Sequence, residues 1–528
     1  MTGNTPRIKR SPTFVSSIAA LALTFSVRAV VTAELPCPCA NGYGTDEDHI
    51  VQVNADGEFV PARQPRTNKK DERLDDLFDC IKKSGRTRII LYVHGGRVSL
   101  GAAVKTAKRL SPIIANEEND KKKKDAYPIF FCWDTEQFSS YFRHLAYERN
   151  GVSYRGSYAA TTSALVAPLV LGADIGRGLT RLPINTTLSL GKLSQNFDLI
   201  LGHHSVLFPV RKKYEEQLAP LVCPKEPRQA IKEGFVYDSE SLKPRKLHLA
   251  VGQDAQHYQL KLALQFAATL PFQFTTEPVI DSVGTPAWGN MLRRTRSMFH
   301  LSTNYVSQPQ PQTRTDYPAG AGAMFFERLR KLVKDDPKHQ TKLEIYAHSM
   351  GTIVINEAYA KFPDLPAKPI VFMAAACSIR DFASTTGEYI AASKTPFYNL
   401  SLHPRAELDD VEALGLPVRG SLLVWIDEFF EDPKSFGDRT LGTLENIVIA
   451  QDFLPKGTPI YLKAFPIEDG KGKRDKREGD DLYRGPQRHG EFENYYFWQE
   501  QFRCTAKATD FYKRTPKESP VPTPCGAN

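Results

Sequence analysis

The sequence predicts an α/β protein with a mostly parallel sheet that is covered by helices on both faces. Strand-like and helix-like segments alternate along much of the 528-residue chain. Two early strand-like segments are short apolar runs that stop at a Gly pair or an Asp. The composition, 41% hydrophobic and 24% charged, permits a large buried core and argues against wholesale disorder.

The predicted elements follow this alternation in chain order. The run Arg88–Val93 is a strand that stops at His94-Gly95-Gly96, and the helix Leu100–Leu110 comes next. Tyr127–Trp133 is a second buried strand, which ends at Asp134. The remaining strands are predicted at Lys342–Ala347, Pro369–Ala376, Phe397–Leu402 and Pro459–Phe465, and further helices at Ala321–Val333 and Met350–Lys361.

The region between the two halves of this pattern lacks clear strand alternation and is predicted to be an insertion, a lid or cap. The predicted organisation is a signal peptide or membrane anchor over 1–33, a core domain over 34–135 and 319–515, the insertion over 136–318, and a tail over 516–528. Within the insertion, Ala159–Ala173 is almost wholly apolar but shorter than the about 20 residues of a membrane span. We expect a helix buried against the core domain, with an interfacial lid or a membrane-surface contact as the alternative.

The amino-terminal segment has the features of an export signal. It combines a basic start at Arg7–Arg10, an apolar run over 14–31 and the small-residue pattern Val31-Thr32-Ala33. Arg28 interrupts the run and leaves a mitochondrial presequence or an uncleaved anchor as alternatives. We expect an exported protein, whether periplasmic, secreted or membrane-associated.

The chain has eight cysteines. Cys132 and Cys377 lie in or beside apolar strand-like runs, where a thiol packs as a small hydrophobe. The other cysteines can pair in an oxidising compartment, with their connectivity left open. Neither a CxxC pair nor a Cys/His cluster has the spacing of a zinc site, so we predict no metal.

The formal charge of +9 does not indicate a nucleic-acid partner. Segment 1–33 contributes four of the positive charges, and the basic clusters Lys121–Lys124 and Lys471–Arg477 are flanked by acidic residues, as in solvated loops. The sequence contains no GxxxxGK[ST] loop, which excludes that route to nucleotide hydrolysis.

A strand-to-helix turn in the second half of the chain carries the strongest chemical signal. The segment Lys342–Thr352 places Ser349 between a strand and a helix, with the small residues Ala347 and Gly351 two positions before and after it. A nucleophile in such a turn has a strained backbone, and bulky flanking residues would collide with the neighbouring strand and helix. The following helix directs its amino-terminal N–H groups at the same point, which favours an oxyanion.

Two further segments supply what an activated serine needs. The turn His94-Gly95-Gly96 lets the backbone approach a substrate closely, so we expect the N–H groups of Gly96 and Met350 to bind the oxyanion, with Gly95 as the alternative to Gly96. His489 lies on a late loop, before an aromatic helix-like segment, and is the expected general base for Ser349.

Four segments together resemble the esterase/lipase branch of the α/β-hydrolase superfamily, including bacterial members of unknown substrate. They are Tyr92-Val93-His94-Gly95, Phe130-Phe131-Cys132-Trp133-Asp134, Ala347-His348-Ser349-Met350-Gly351 and Arg488-His489-Gly490. The resemblance covers residues 88–135 and 320–505 and leaves the insertion unaccounted for. Ala347 stands where the commoner motif has glycine.

The resemblance implies an α/β-hydrolase fold, a Ser-His-acid triad, an acyl-serine intermediate and no cofactor. The acid is expected between Ser349 and His489, on the loop after the strand Phe397–Leu402. We select Glu407, the first carboxylate past that strand, and keep the alternatives open. These are Asp409, Asp410, the more distant Asp427, and Asp381 after the preceding strand, whereas His403 is read as a loop residue.

The expected function is therefore hydrolysis of a carboxylic ester by Ser349 and His489. The partner is a small-molecule or lipid ester, because the apolar insertion and the export signal both favour a lipid-like acyl group. An amidase or thioesterase using the same triad is the nearest alternative. A membrane-associated scaffold without turnover is the alternative of another class, because a fold alone does not guarantee chemistry.

Overall fold

The computed structural model of the chain describes the residues that build the sheet domain and part of the insertion. They are 46–60, 72–115, 126–146, 148–149, 152–153, 157–186, 237–238, 278–300, 319–336, 340–402, 406–407, 410, 420–431, 433, 435–450, 460–465 and 486–504. The predicted targeting segment, both basic clusters and the predicted tail lie outside these residues.

A parallel sheet forms the centre of the described part of the chain. Its seven parallel strands are β1 (Ile50–Val53), β2 (Arg88–Val93), β3 (Ala126–Trp133), β4 (Lys342–His348), β5 (Ile370–Met373), β6 (Phe397–Ser401) and β7 (Ile460–Ala464). They run in the spatial order β1-β3-β2-β4-β5-β6-β7, and the two-residue strand Tyr237–Asp238 pairs antiparallel with β7. The predicted α/β class is confirmed, and β1 is an additional strand that the sequence pattern did not indicate.

Helices connect the strands and extend into the insertion. The described α-helices are α1 (Glu72–Ser84), α2 (Leu100–Ala115), α3 (Gln137–Ala146), α4 (Ser157–Thr180), α5 (278–297), α6 (Ala321–Lys334), α7 (Gly351–Lys361), α8 (Ile379–Ala383), α9 (Thr386–Ser393), α10 (Leu422–Trp425), α11 (Leu444–Ala450) and α12 (Glu500–Cys504). A π-helical segment, Ile426–Phe430, continues α10, and 3-10 turns lie at Asp46–His49, Phe436–Asp438 and His489–Asn494. The two-residue strands Glu148–Arg149 and Val152–Ser153 pair antiparallel in the insertion.

Most predicted boundaries hold within a few residues, and two differ for identifiable reasons. The strand predicted over 369–376 ends at Met373, because Ala374 takes a φ of 45° and turns the chain out of the sheet. The helix predicted to end at Leu110 continues to Ala115 through Pro112.

The core lies between the sheet and its helices. Strand β3 is buried along its whole length. Helix α6 packs Phe325 and Phe326 against it, with their rings 5.5 and 5.7 Å from that of Phe131. Truncating one such buried phenylalanine to alanine costs about 3–5 kcal/mol, so this layer holds the sheet domain together.

The carboxyl ends of neighbouring strands meet at one edge of the sheet. Val93 pairs with Ala347 across β2 and β4, and His348 pairs with Met373 across β4 and β5. The turns that follow β2, β3 and β4 therefore converge on this edge, where ligands of parallel α/β sheets bind.

Helix α4 contradicts the expected burial of the apolar segment Ala159–Ala173. From Leu165 onward its apolar side chains face outward, with Leu165 and Leu169 exposed by 76% and 74%. Its inward face is polar: Asp174 accepts hydrogen bonds from α3, and Arg177 pairs with the buried Asp281 on α5 at 3.0 Å. At about 100° per residue these two sets fall on different sides of the helix, so the polar contacts determine which side packs inward.

The cysteines agree with two expectations from the sequence. Cys132 and Cys377 are buried and outside any disulfide, whereas Cys80 is disulfide-bonded. Among the described helices, none is long and apolar enough to cross a membrane.

Candidate active site

Ser349 occupies a strained turn between β4 and α7. Its φ is 49°, in the left-handed region that non-glycine residues rarely adopt. The turn is held by its neighbours, because the Ser349 N–H donates to the carbonyl of Met373 at 2.8 Å and the Ser349 carbonyl accepts from Ala376 N–H at 3.1 Å. Thr352 adds a hydroxyl donor to the same carbonyl at 2.7 Å. This environment compensates for the strain and fixes the side chain at the sheet edge.

The small residue two positions after the serine, Gly351, is required by the fold. A Cβ atom added at Gly351 would lie 2.4 Å from the carbonyl oxygen of Val93 on β2. That distance is shorter than van der Waals contact, so only glycine lets α7 start this close to the strand. Ala347 is fully buried between Val93 and Phe372 in the sheet, where its single methyl group is accommodated.

His489 makes direct contact with the serine. Its Nε2 lies 2.7 Å from Ser349 Oγ, although the two residues are 140 positions apart in the chain. Both side chains are buried, Ser349 with 1% and His489 with 8% of its surface exposed. The structure thus joins the two residues that the sequence selected as nucleophile and base.

His489 is held at its backbone as well as its ring. Its N–H donates to Asp410 Oδ2 at 3.0 Å, and its carbonyl accepts from His348 Nε2 at 2.8 Å. His489 Nδ1 has no hydrogen-bond partner within the described part of the chain. The main chain of His489 is therefore fixed from both sides, while its ring contacts the serine.

The electrostatic environment keeps the imidazole of His489 neutral. Burial lowers its pKa well below the ordinary 6.5, and the positive charge of Arg97 lowers it further. A neutral imidazole with its proton on Nδ1 accepts a hydrogen bond at Nε2, so Ser349 donates to it. This is the protonation state that a general base requires.

The glycine turn after β2 lies directly against the serine. A Cβ atom added at Gly95 would lie 2.9 Å from Ser349 Cβ and 2.8 Å from Nδ1 of His348. His94 braces this turn, donating from Nδ1 to the Gly95 carbonyl at 2.7 Å and accepting at Nε2 from Trp133 N–H at 3.1 Å. Burial lowers the pKa of His94 to about 4, which keeps it in this neutral form.

The expected oxyanion donors are neighbours in space, and one of them directly follows the serine. Gly96 and Met350 are in contact, since a Cβ at Gly96 would lie 3.4 Å from the Met350 Cβ. Neither backbone N–H donates to an acceptor in the described residues. Both amides are consequently available to a ligand oxygen.

The structure separates the candidate acids. Asp410, kept as an alternative, is the carboxylate that hydrogen-bonds to His489. Burial raises its pKa, and the His489 N–H and the charges of Arg488 and Arg97 lower it. Glu407, the first choice from the sequence, is also buried, but neither of its oxygens has a hydrogen-bond partner in the described residues.

The other acid candidates serve elsewhere or lie outside the description. Asp427 accepts from Thr440 N–H and from the Asn446 amide, both at 2.7 Å, which is a structural role. Asp381 is exposed in the first turn of α8. Asp409 and His403 lie outside the described residues.

Helix α5 from the insertion covers the edge of the sheet at this site. The Cε of Met291 would lie 3.1 Å from a Cβ at Gly96, and Trp288 packs on Phe430. Helix α4 packs on α5 so closely that a Cβ at Gly178 would lie 2.0 Å from Ser282 Oγ. The site therefore lies beneath α5, and α4 packs against that helix.

Sequence reasoning missed several residues of this site. His348 was read as part of the serine motif without a role, and Arg97, with a φ of 63°, was not considered. Helix α5 showed no pattern that distinguished it from the rest of the insertion. The sequence marks His348 only by its position beside Ser349. That position does not reveal its contact with His489, which lies 141 residues further along the chain.

No family model, no curated protein and no solved structure matches this chain. Within the described residues, no group of three or more His, Cys, Asp or Glu side chains is arranged to hold a metal ion.

Proposed function

We propose that this protein is a serine hydrolase that cleaves a carboxylic ester through an acyl-serine intermediate. The observation that carries the proposal is the 2.7 Å contact between His489 Nε2 and Ser349 Oγ at a strained strand-to-helix turn. A buried neutral histidine in contact with a serine hydroxyl has the geometry of a base and its nucleophile.

In the proposed reaction, Ser349 Oγ attacks the ester carbonyl carbon while its proton passes to His489 Nε2. The carbonyl electron pair moves onto oxygen, where the N–H groups of Gly96 and Met350 stabilise the negative charge. Collapse breaks the ester C–O bond, and the departing alcohol takes the proton from His489. Water then attacks the acyl-serine through the same base, releasing the carboxylic acid and restoring Ser349.

We assign the acid of this site to Asp410. Its carboxylate accepts a hydrogen bond from the main-chain N–H of His489, not from Nδ1 of the ring. A carboxylate this near the residue that becomes positively charged during the reaction favours its imidazolium form. The chain order Ser349, Asp410, His489 is that of the α/β-hydrolase fold. This order, the parallel sheet and the position of Ser349 after β4 support the α/β-hydrolase assignment.

The substrate class that we favour is a lipid-like ester. Helix α4 supports this choice, because from Leu165 to its end its exposed large side chains are apolar, and its charged Arg177 pairs with the buried Asp281. Phe138 and Phe142 on the adjacent α3 are exposed by 61% and 60%. Exposed apolar side chains of this kind are typical of membrane or protein contacts. An exported location is supported by the disulfide at Cys80, since disulfides persist in oxidising compartments.

The experiment that tests the enzyme proposal is labelling with a fluorophosphonate, which reacts with an activated serine. We expect modification of Ser349 in the wild type and none in Ser349→Ala or His489→Ala, with Ser111→Ala as a matched buried-serine control that labels normally. Because Ser349 is 1% exposed, the experiment includes an arm with detergent or an ester interface. A folded wild type that stays unlabelled in both arms would contradict the proposal and favour a non-catalytic scaffold.

Two further measurements test the substrate class. Comparing kcat/KM for an ester, a thioester and an amide with one acyl group separates esterase from thioesterase and amidase. For the lipid contact, wild-type protein should float with neutral phosphatidylcholine vesicles, and Leu165→Ser/Leu169→Ser should not, while both hydrolyse a short monomeric ester equally. Absence of vesicle binding by the wild type would indicate a soluble ester instead.

A further inference from the structure

His348 connects the nucleophile turn to the loop that carries the base. Its Nε2 lies 2.8 Å from the main-chain carbonyl oxygen of His489. A carbonyl oxygen can only accept, so the hydrogen must be on His348 Nε2. The residue next to the nucleophile is thus a hydrogen-bond donor to the residue that acts as base.

We infer that His348 is a positioning residue, which fixes the backbone of His489 so that its ring stays on Ser349 throughout the reaction. This inference rests on the proposed function. Catalysis by a base depends on its distance from the nucleophile, and a misplacement of about 1 Å can reduce the rate about 100-fold.

The anchor is rigid because His348 belongs to the sheet. It is the last residue of β4 and pairs with Met373 on β5, and it is 6% exposed. Gly95 closes one side of its ring, and the rings of His489 and Phe492 lie 5.2 and 5.6 Å from it on other sides. These neighbours restrict rotation of the ring away from the His489 carbonyl.

The same environment keeps the anchor uncharged. Burial lowers the pKa of His348 to about 4, partly offset by its hydrogen bond to His489. When His489 takes the proton from Ser349, its neighbour therefore adds no opposing positive charge. A lysine or arginine donor at this position would add such a charge.

The test is a comparison of three variants of the full chain in ester hydrolysis. His348→Leu removes the donor, whereas His348→Gln places an amide N–H at the position of Nε2. Phe492→Leu is the packing control, because Phe492 contacts the His348 ring without a hydrogen bond to it. Thermal melting of each variant measures folding separately.

We expect His348→Leu to lower kcat about 100-fold with little change in KM, and His348→Gln to retain kcat within about tenfold of wild type. Phe492→Leu should lower stability with a much smaller loss of kcat. The positioning role would be overturned if His348→Leu and His348→Gln had equal activity. It would also be overturned if His348→Leu and Phe492→Leu, at matched stability, lost kcat equally. A wild type without turnover or labelling would overturn the proposed function, and the inference with it.

Discussion

The substitution Glu407→Gln distinguishes a buried neutral carboxyl group from a catalytic anion. Glu407 is 3% exposed, and burial raises its pKa to about 8. The neighbouring Asp410 and Asp427 raise it further, and the Ser421 hydroxyl, although outside hydrogen-bonding geometry, offsets part of the rise. We therefore expect the carboxyl group to be protonated in the folded protein at neutral pH.

The raised pKa of Glu407 costs stability as the pH increases. The unfolded chain loses this proton near pH 4.5 and the folded chain near pH 8, so the contribution of the group is complete below pH 4.5 and is lost as pH rises towards 8. At about 1.4 kcal/mol per pH unit, the cost at pH 7 is about 3 kcal/mol. Glutamine does not ionise, so the variant should gain about this much relative to wild type between pH 4 and pH 7.

The assay is urea unfolding of wild type and variant at pH 4 and pH 7, together with ester hydrolysis at pH 7. The comparison between the two pH values removes the constant difference between a carboxylic acid and an amide. Asp427→Asn is the control at pH 4 and should destabilise there, because Asp427 accepts hydrogen bonds from two N–H donors that an amide cannot both satisfy. Burial also raises the pKa of Asp427 to about 6, so part of this loss should be offset at pH 7. If the stability difference between Glu407→Gln and wild type does not grow with pH, the carboxyl group is not held neutral by burial and the reasoning is refuted. A loss of activity by two orders of magnitude would also refute it and would return Glu407 to the role of acid.

Three further predictions concern the site. Asp410→Asn should lower kcat by roughly 100-fold to 10,000-fold, as expected for loss of a triad charge. The asparagine oxygen can still accept the hydrogen bond from the His489 N–H. Activity near that of the wild type would exclude Asp410 as the acid. Gly351→Ala should abolish fluorophosphonate labelling, because the added methyl group would lie 2.4 Å from the Val93 carbonyl oxygen. Normal labelling of this variant would contradict the close packing of α7 on β2. Because burial lowers the pKa of His489, kcat/KM should decrease as the pH is lowered, with the midpoint of this decrease below pH 6.5. A midpoint at or above pH 6.5 would contradict a buried base.

Local patterns in the sequence were sufficient for the framework of the sheet. The runs at Arg88–Val93 and Lys342–Ala347 are rich in apolar residues and bounded by turn residues, a local pattern that predicts a strand without knowledge of its partner. The strand Ile50–Val53 escaped prediction because it is only four residues long, and β3 provides the partner that makes it a strand.

The same division applies to the candidate catalytic residues. Ser349 is recognisable because its motif is local: the strand, the small flanking residues and the helix lie within a few positions of each other. His489 was found from its position on a late loop. The acid could not be assigned in this way, because Glu407 and Asp410 are three positions apart and differ only in which of them faces His489.

The insertion shows the limit of hydrophobicity as a guide to burial. The apolar composition of Ala159–Ala173 favoured a buried helix, yet α4 turns its leucines outward. The reason lies beyond the segment, in Arg177 and in Asp281 about 100 residues further on, whose ion pair holds the opposite side of the helix inward. Sequence patterns do not show which distant partners a charged residue will find.

The sequence by itself determined the α/β class, the parallel strands and the nucleophile turn, because each depends on periodicity and on residues that are neighbours in the chain. Only the tertiary structure decided which carboxylate bonds to the main chain of His489, that His348 bonds to the His489 carbonyl, and which side of α4 faces outward. Those outcomes depend on contacts between residues about 80 to 140 positions apart, which burial and packing select and local sequence does not encode.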